Sequence, residues 1–407
     1  MRETKDSGIE WIGEIPKEWK KTRGGFIYKI QTGKKDAVAE NPQGKYAFFT
    51  CSKEQKKTDN YCFDTEALLV AGNGIVGYTQ YFKGKFDAYQ RTYVLSDFKN
   101  INPIFLKYYV SNNLITEVTP KSQGSVIQFI KYDDLKNFNI VLPSLQEQSR
   151  IASFLDSKCA KIDSLHSDIN EQIETLKEYK KSVITEAVTK GLDPDVEMKD
   201  SGNQYWGKIP TNWHLLDIKY LFEIVKRIAG HEGYDILSVT QNGLKIKDIS
   251  SNEGQIAESY VNYQFVYPGD FVMNHMDLLT GWVDCSKLFG VTSPDYRVFR
   301  LRNQNNNSNY YKYIMQTCYM NRIFYSLGQG VSNLGRWRLQ TSSFNNFMVP
   351  VPPAETQKDI ADYLDEKCSK INVCIDDKKK QLETLEQYKK SLIYEYVTGK
   401  KEVPANA

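Results

Sequence analysis

Residues 143–189, PSLQEQSRIASFLDSKCAKIDSLHSDINEQIETLKEYKKSVITEAVT, return as residues 352–398, PPAETQKDIADYLDEKCSKINVCIDDKKKQLETLEQYKKSLIYEYVT. No gap is needed: Asp156 falls on Asp365, Cys159 on Cys368, Tyr179 on Tyr388 and Thr189 on Thr398, a constant offset of 209 residues. In the first copy the apolar side chains form two series spaced by seven, Leu155, Ile162, Ile169, Leu176, Val183 and Cys159, His166, Ile173, Lys180, Ala187. The second copy gives Leu364, Ile371, Lys378, Leu385, Leu392 and Cys368, Ile375, Leu382, Lys389, Tyr396. This three-four alternation is a heptad seam, the narrow stripe with which one long helix packs on another. The copies are natural partners for each other, each a rod of roughly 65 Å at about 1.5 Å per residue.

A second repeat opens each half. Residues 5–19, KDSGIEWIGEIPKEW, match residues 199–213, KDSGNQYWGKIPTNW, through Gly13/Gly207, Pro16/Pro210 and Trp19/Trp213. Their Gly and Pro spacing suits a turn-rich arm, with the tryptophans as packing anchors.

Between arm and rod, residues 20–142 carry short Tyr, Phe, Val and Ile runs broken by turn residues. Strands are expected at Lys45–Thr50, Ala67–Ala71, Gly77–Phe82, Ala88–Leu95 and Phe138–Leu142, with a helix at Ile104–Glu117 capped by Asn102. Residues 214–351 repeat the character with different letters. Val266–Met273 and Gly281 take the place of Ala67–Ala71 and Gly77, Tyr310–Tyr325 is helix-like, and a Gly-containing loop follows in both heads, Gln123–Ser125 and Gly328–Asn333.

The chain has 407 residues, a formal charge of +3 and seven cysteines. Their positions, 51, 62, 159, 285, 318, 368 and 374, show no CxxC, so neither a disulfide framework nor a zinc site is expected. No apolar run is long enough to span a bilayer, and no apolar leader is expected; a cytoplasmic location without membrane contact follows as an expectation.

Several catalytic patterns fail on context. Gly72-Asn73-Gly74-Ile75-Val76-Gly77 has GxGxxG form, but strand-like residues follow where a dinucleotide site needs a helix. Asn102-Pro103-Ile104-Phe105 lacks the second proline of the amino-methyltransferase signature. Pro194-Asp195 with Glu197-Met198-Lys199 leaves too little room for a PD…ExK metal site and reads as an acidic linker. The histidines, 166, 214, 231 and 275, lack a nucleophile beside them, and His166 falls on the seam as a tolerated core position. No metal, cofactor or catalytic residue is expected on this chain.

Binding residues remain. The second head gathers Arg297, Arg300, Arg302, Arg322, Gln329, Asn333, Arg336 and Arg338, and the first offers Gln90, Arg91, Lys121, Gln123 and Ser125. Arg suits guanine edges and phosphates, and Asn or Gln suits adenine. From these the candidate DNA-binding set is Gln90, Arg91, Lys121, Gln123, Ser125, Arg297, Gln329, Asn333, Arg336 and Arg338.

Together the Gly-x-Ile-Pro-x-x-Trp arm (Gly13 to Trp19, Gly207 to Trp213), Leu142-Pro143-Ser144-Leu145-Gln146-Glu147-Gln148, Ile151-Ala152-x-x-Leu155-Asp156 and the twin long helices resemble the specificity subunit of Type I restriction-modification systems. The second copy departs at Pro353-Ala354-Glu355-Thr356-Gln357, where the Glu-Gln pair is degraded. The resemblance implies an α+β fold with an internal pseudo-twofold repeat. Its segments are a target-recognition domain at 1–142, a spacer helix at 143–192, a second target-recognition domain at 193–351 and a second spacer helix at 352–407. The helices would pair as an antiparallel coiled coil through the Leu155, Ile162, Ile169, Leu176, Val183 and Leu364, Ile371, Leu385, Leu392 seams. It further implies a double-stranded, bipartite, non-palindromic DNA target, two methyltransferase subunits using S-adenosylmethionine, and ATP-dependent endonuclease-translocase subunits. The alternatives are a coiled-coil adaptor that reads no sequence, or a standalone enzyme.

Overall fold

The computed structural model describes residues 2–119, 129–248, 257–330 and 337–404. Its helices are α1 (Gly24–Ile27), α2 (Pro103–Val118), α3 (Tyr132–Asn137), α4 (Leu145–Lys190), α5 (Ile218–Leu221), α6 (Ser308–Met320), α7 (Ile323–Ser326), α8 (Thr341–Asn345) and α9 (Ala354–Val397). The chain divides into two compact units, 1–170 with 379–407, and 171–378. Each unit therefore takes one head together with a part of both long helices, where the sequence division set the helices apart as segments of their own. Shared apolar cores explain why: Leu155, Cys159, Ile162, Leu392 and Tyr396 belong to the core of the first head, and Ile184, Val188, Ile360, Leu364 and Cys368 to that of the second.

In the first unit six strands run in the order Lys29–Thr32, Thr92–Ser96, Phe63–Ala71, Thr79–Ala88, Tyr46–Phe49, Lys56–Thr58. Pairing is antiparallel except between Tyr46–Phe49 and Thr79–Ala88. The expected strand Ala88–Leu95 is two strands, because Tyr89 to Arg91 turn the chain and the Thr92 amide closes on the Tyr89 carbonyl at 2.8 Å. The residues after Gly77 enter the strand Thr79–Ala88, so the GxGxxG run leads into no helix.

In the second unit Phe222–Val225, Arg297–Leu301, Phe271–Met273 and Val283–Cys285 pair in the order of the first four strands of the other head. The run Val266–Met273 is split by its Pro-Gly turn, with Gly269 at φ +91°. The expected helix Tyr310–Tyr325 is likewise split into α6 and α7, where Arg322 takes the left-handed conformation at φ +55°.

The repeated sequence makes repeated contacts. At the head of α4, buried Gln148 accepts from the Asn102 amide (2.7 Å) and donates to the Pro143 carbonyl (3.0 Å). At the head of α9, buried Gln357 accepts from the Asn307 amide (2.9 Å) and donates to the Pro352 carbonyl (3.0 Å). The degraded Glu-Gln pair of the second copy thus keeps the residue that does this work. Asn102 and Asn307 in turn cap α2 and α6, and the hydroxyls of Tyr108 and Tyr313 donate at 2.6 Å to Asp156 and Asp365. Both long helices end on a left-handed glycine against an arm tryptophan. A Cβ on Gly191 would lie 3.4 Å from Trp213, and one on Gly399 2.4 Å from Pro16 and 3.1 Å from Trp19. Trp19 and Trp213 are buried.

Within the first unit Phe154 packs on Tyr396 and Lys389 bonds to Asp163; within the second Lys180 bonds to Asn372 and Lys378 to Gln172. In each unit, then, the two helix segments run antiparallel. Leu155, Ile162, Leu364, Ile371 and Leu392 are buried, whereas Ile169, Leu176, Val183 and Leu385 are half-buried. His166 is no core residue: its ring is partly exposed, meets Asn170 at 3.0 Å and lies 3.9 Å from Glu386.

Candidate nucleic-acid interface

Strand order decides where the loops go. In the first head Lys29–Thr32 and Phe63–Ala71 both run antiparallel to Thr92–Ser96, so the segments after Thr32 and after Ala71 and the turn before Thr92 emerge at one end of the sheet. Backbone bonds stitch them together. Gln90 donates to the Lys35 carbonyl (2.9 Å), Gly72 to Arg91 (2.9 Å), Ile75 to Cys51 (3.1 Å) and Ile130 to Gly72 (2.8 Å). Lys35 anchors the edge from below, 3.0 Å from the fully buried Asp87 carboxylate. Gln90 and Arg91 stand exposed on this edge beside Lys34, Lys53 and Ile75. The Arg91 guanidinium has no ion-pair partner among the described residues.

The second head repeats the arrangement. The segments after Met273 and before Arg297 emerge at the same end of the sheet, and Leu339 donates to the His275 carbonyl at 3.0 Å, as Ile130 does to Gly72. Gln329 and Arg338 exchange two backbone bonds, 2.9 and 3.0 Å, which brings their exposed side chains to one bridge. Lys121, Gln123, Ser125, Asn333 and Arg336 lie outside the described residues.

Arg297 is placed elsewhere. It is 5% exposed, its guanidinium donates to the Leu339 carbonyl (3.1 Å) and the Thr341 hydroxyl (3.2 Å), and it lies over the Phe344 ring. It holds the edge from inside and has no surface with which to read a base. Arg300 and Arg302 leave at the opposite end of the strand, the first paired with Glu223 and the second bonded to the Lys219 and Phe222 carbonyls. The arginine cluster of the sequence is therefore dispersed: Arg297 is buried, Arg300 and Arg302 lie at the opposite end of the strand, Arg322 sits at the break between α6 and α7, and Arg338 is exposed at the edge. Lys34 and Lys53 carry no mark in the sequence beyond Gly33, which precedes Lys34.

Below this edge, burial and then the charges of Arg297 and Arg338 push the His275 pKa from 6.5 down to about 4. The folded state accepts its proton less readily than the unfolded chain, so this site leaves stability intact above pH 6.5 and removes it as pH falls from 6.5 toward 4. The loss should reach about 1–2 kcal/mol by pH 5. Denaturant titrations at pH 7 and pH 5 check this: His275→Gln should flatten that part of the profile.

A family model described as the Type I restriction modification DNA specificity domain matches residues 16–175 and 220–387, once over each head and its following helix. The chain belongs to this family. The Type I restriction enzyme EcoDI specificity subunit of Escherichia coli is 32% identical over 241 residues, 54% of this chain and 53% of that protein, so the match spans about half of each. The MjaVIII specificity subunit of Methanocaldococcus jannaschii is 26% identical over 95% of this chain and 93% of its own. A solved chain from a type I R-M system shares the fold, with a TM-score of 0.67 at 13% identity, covering 95% of this chain and 99% of that one. Among the described residues of this specificity-family chain, no group of three or more His, Cys, Asp or Glu could hold a metal ion. No described helix is long and apolar enough to cross a membrane.

Proposed function

We propose that this chain is the DNA-reading subunit of a Type I restriction-modification complex. Each head reads one half of a bipartite, non-palindromic duplex sequence with its loop edge, and the long helices, paired as an antiparallel coiled coil, carry the two heads. The chain itself performs no chemistry. In this reading it scaffolds methyltransferase subunits that use S-adenosylmethionine and endonuclease-translocase subunits that use ATP, in the cytoplasm. One observation supports this above the rest: the family model matches twice, each time over a head whose loops present exposed Arg and Gln side chains at one end of its sheet.

The test exchanges residues 20–142 for the matching segment of another family member and maps methylated sites in the presence of the partner methyltransferase. One half of the recognised sequence should change and the other persist; a change in both halves refutes independent heads. The purified chain alone should transfer no label from S-adenosylmethionine to DNA.

Arg297 and Arg338 of the second head should separate cleanly. Arg338→Ala is expected to cost about 1–3 kcal/mol of base discrimination if its fork is bidentate to a base, without loss of stability. Arg297→Ala should instead lower the unfolding free energy by about 2–3 kcal/mol, because the Leu339 carbonyl and Thr341 hydroxyl lose a charged donor. Equilibrium binding to the mapped site and denaturant unfolding distinguish the outcomes.

A further inference from the structure

The strands Phe63–Ala71 and Thr79–Ala88 of the first head and Phe271–Met273 and Val283–Cys285 of the second hold the same places in their sheets, and each pair is joined by a short loop at the reading edge. The two loops close alike. Ala71 donates to the Tyr78 carbonyl at 2.9 Å, and Asn274 to the Trp282 carbonyl at 2.9 Å. Three residues before each closure stands a branched apolar side chain, Ile75, 44% exposed, or Leu279, 49% exposed. Single exposed apolar residues are common. Here one recurs at a matched position, although the loops aligned on Gly77 and Gly281 share no other identical residue.

Both tips are fixed from below. The Ile75 amide donates to the Cys51 carbonyl (3.1 Å) and its carbonyl accepts from Tyr78 (3.0 Å), while Val76 packs on the core of the first head. The Leu279 amide donates to the Asp277 carboxylate (2.9 Å), which also takes the Thr280 amide (3.1 Å) and hydroxyl, while Leu278 is buried in the core of the second head. A Cβ on Gly328 would lie 2.9 Å from Leu278, so this tip adjoins the bridge of Gln329 and Arg338. The exposed charges beside the tips differ, Lys34, Lys53, Glu54 and Arg91 in one head against Asp295 and Arg338 in the other. Apolar shape, not charge, is what the two edges have in common. Heads that read different half-sequences need different polar readers, and both would meet a thymine methyl only if both halves carried thymine at the same place. A contact kept through that difference acts on what every duplex offers, the stacked base step.

We infer that Ile75 and Leu279 are wedges, each entering between two base pairs of its own half-site, opening that step and kinking the duplex. An inserted Ile or Leu partly unstacks a base step and kinks the duplex by about 20–90°. Pyrimidine–purine steps yield most easily, so the wedges add a reading of deformability to the reading of base edges. The duplex as occupant rests on the function proposed above; the matched tips rest on the geometry.

The full chain, in complex with its methyltransferase subunits, is bound to a duplex carrying the mapped site, and the bend is read by energy transfer between dyes at the two duplex ends. Ile75→Ser and Leu279→Ser should each straighten the duplex by about 20° or more, and the double variant by the sum. Any bend imposed by the methyltransferase subunits is common to all the complexes and cancels. Ile75→Leu and Leu279→Ile should keep the wild-type bend. Because both side chains are exposed, thermal midpoints should not move; Ile75→Thr and Leu279→Gln replace a serine variant that fails to fold. Deoxyuridine in place of every thymine of the site should leave the wild-type bend and affinity unchanged. A double variant that bends the site as the wild type does overturns the inference and leaves DNA reading standing. So does a deoxyuridine duplex that loses the bend as the serine variants do, which assigns the side chains to thymine methyls. A double variant that holds fewer methyltransferase copies by native mass spectrometry also overturns it, assigning them to a protein contact. A wild-type complex that does not distinguish the mapped site from other duplexes overturns the proposed function, and this inference with it.

Discussion

Leu155→Asp and Leu364→Asp are each expected to remove about 4–5 kcal/mol of unfolding free energy, enough to unfold most domains of this size near physiological temperature. Both leucines are fully buried where a long helix enters the core of its head. An aspartate there loses the packing of a whole leucine and brings an ionised carboxylate into an apolar core. The damage should be local: Leu155→Asp acts on the unit containing the first head and Leu364→Asp on the other, so denaturant curves should show one shifted and one unshifted transition. Ile162→Asp should follow Leu155→Asp. Leu176, half-buried in the middle of its helix, should tolerate aspartate at about 1 kcal/mol, since its carboxylate can reach water. Equal costs at Leu155 and Leu176 would show that the seam is uniformly closed, against the burial seen.

The second large effect is polar. Gln148→Leu keeps the volume of the side chain but leaves the Asn102 amide and the Pro143 carbonyl without partners, and Gln357→Leu does the same to Asn307 and Pro352. Each unsatisfied buried group costs about 1–3 kcal/mol, so a loss of about 3–4 kcal/mol is expected from each change. Amide hydrogen exchange gives the specific readout. Protection at Asn102 should collapse in Gln148→Leu while that at Asn307 remains, and an unchanged rate at Asn102 would refute the role of the glutamine.

What the sequence made legible was whatever recurs in it. The constant offset places α4 and α9, and heptad spacing marks which side chains face inward, because one helix face repeats every few residues. Within the heads, apolar runs locate strands such as Phe63–Ala71, but periodicity says nothing of where a turn cuts a run. Ala88–Leu95 and Val266–Met273 were each broken by a local closure that only the fold reveals. The candidate site was legible only in part for a related reason. An arginine in an alternating strand points either to the core or to water, and Arg297 and Arg338 look alike in composition while one is buried and the other exposed. Heptad position alone does not mean burial: His166 is partly exposed, and its neighbours on the seam, Ile169 and Leu385, are themselves only half covered. The buried glutamines were visible as a repeated letter, but their task, joining helix to head, requires knowing that Asn102 and Asn307 begin helices at the same place.

The discontinuity of the first unit bears on the order in which the ribosome delivers its parts. Residues 171–378 are contiguous, so the second head has all of its own material once Lys378 has been synthesised. The first head does not. Leu392, Ile393, Tyr396 and Val397 complete its core, Tyr394 bonds to the Trp11 carbonyl and Gly399 closes on Trp19. At about 5–20 residues per second, more than two hundred residues separate Asn170 from these partners, a wait of roughly 10–45 s. During that time the apolar stripe from Ile151 to Ile162 packs on its own head but lacks Leu392, Ile393, Tyr396 and Val397. The nascent chain should therefore present a chaperone-binding stretch in its earlier half, and a stop codon after Lys378 should injure the head made first while sparing the one made second.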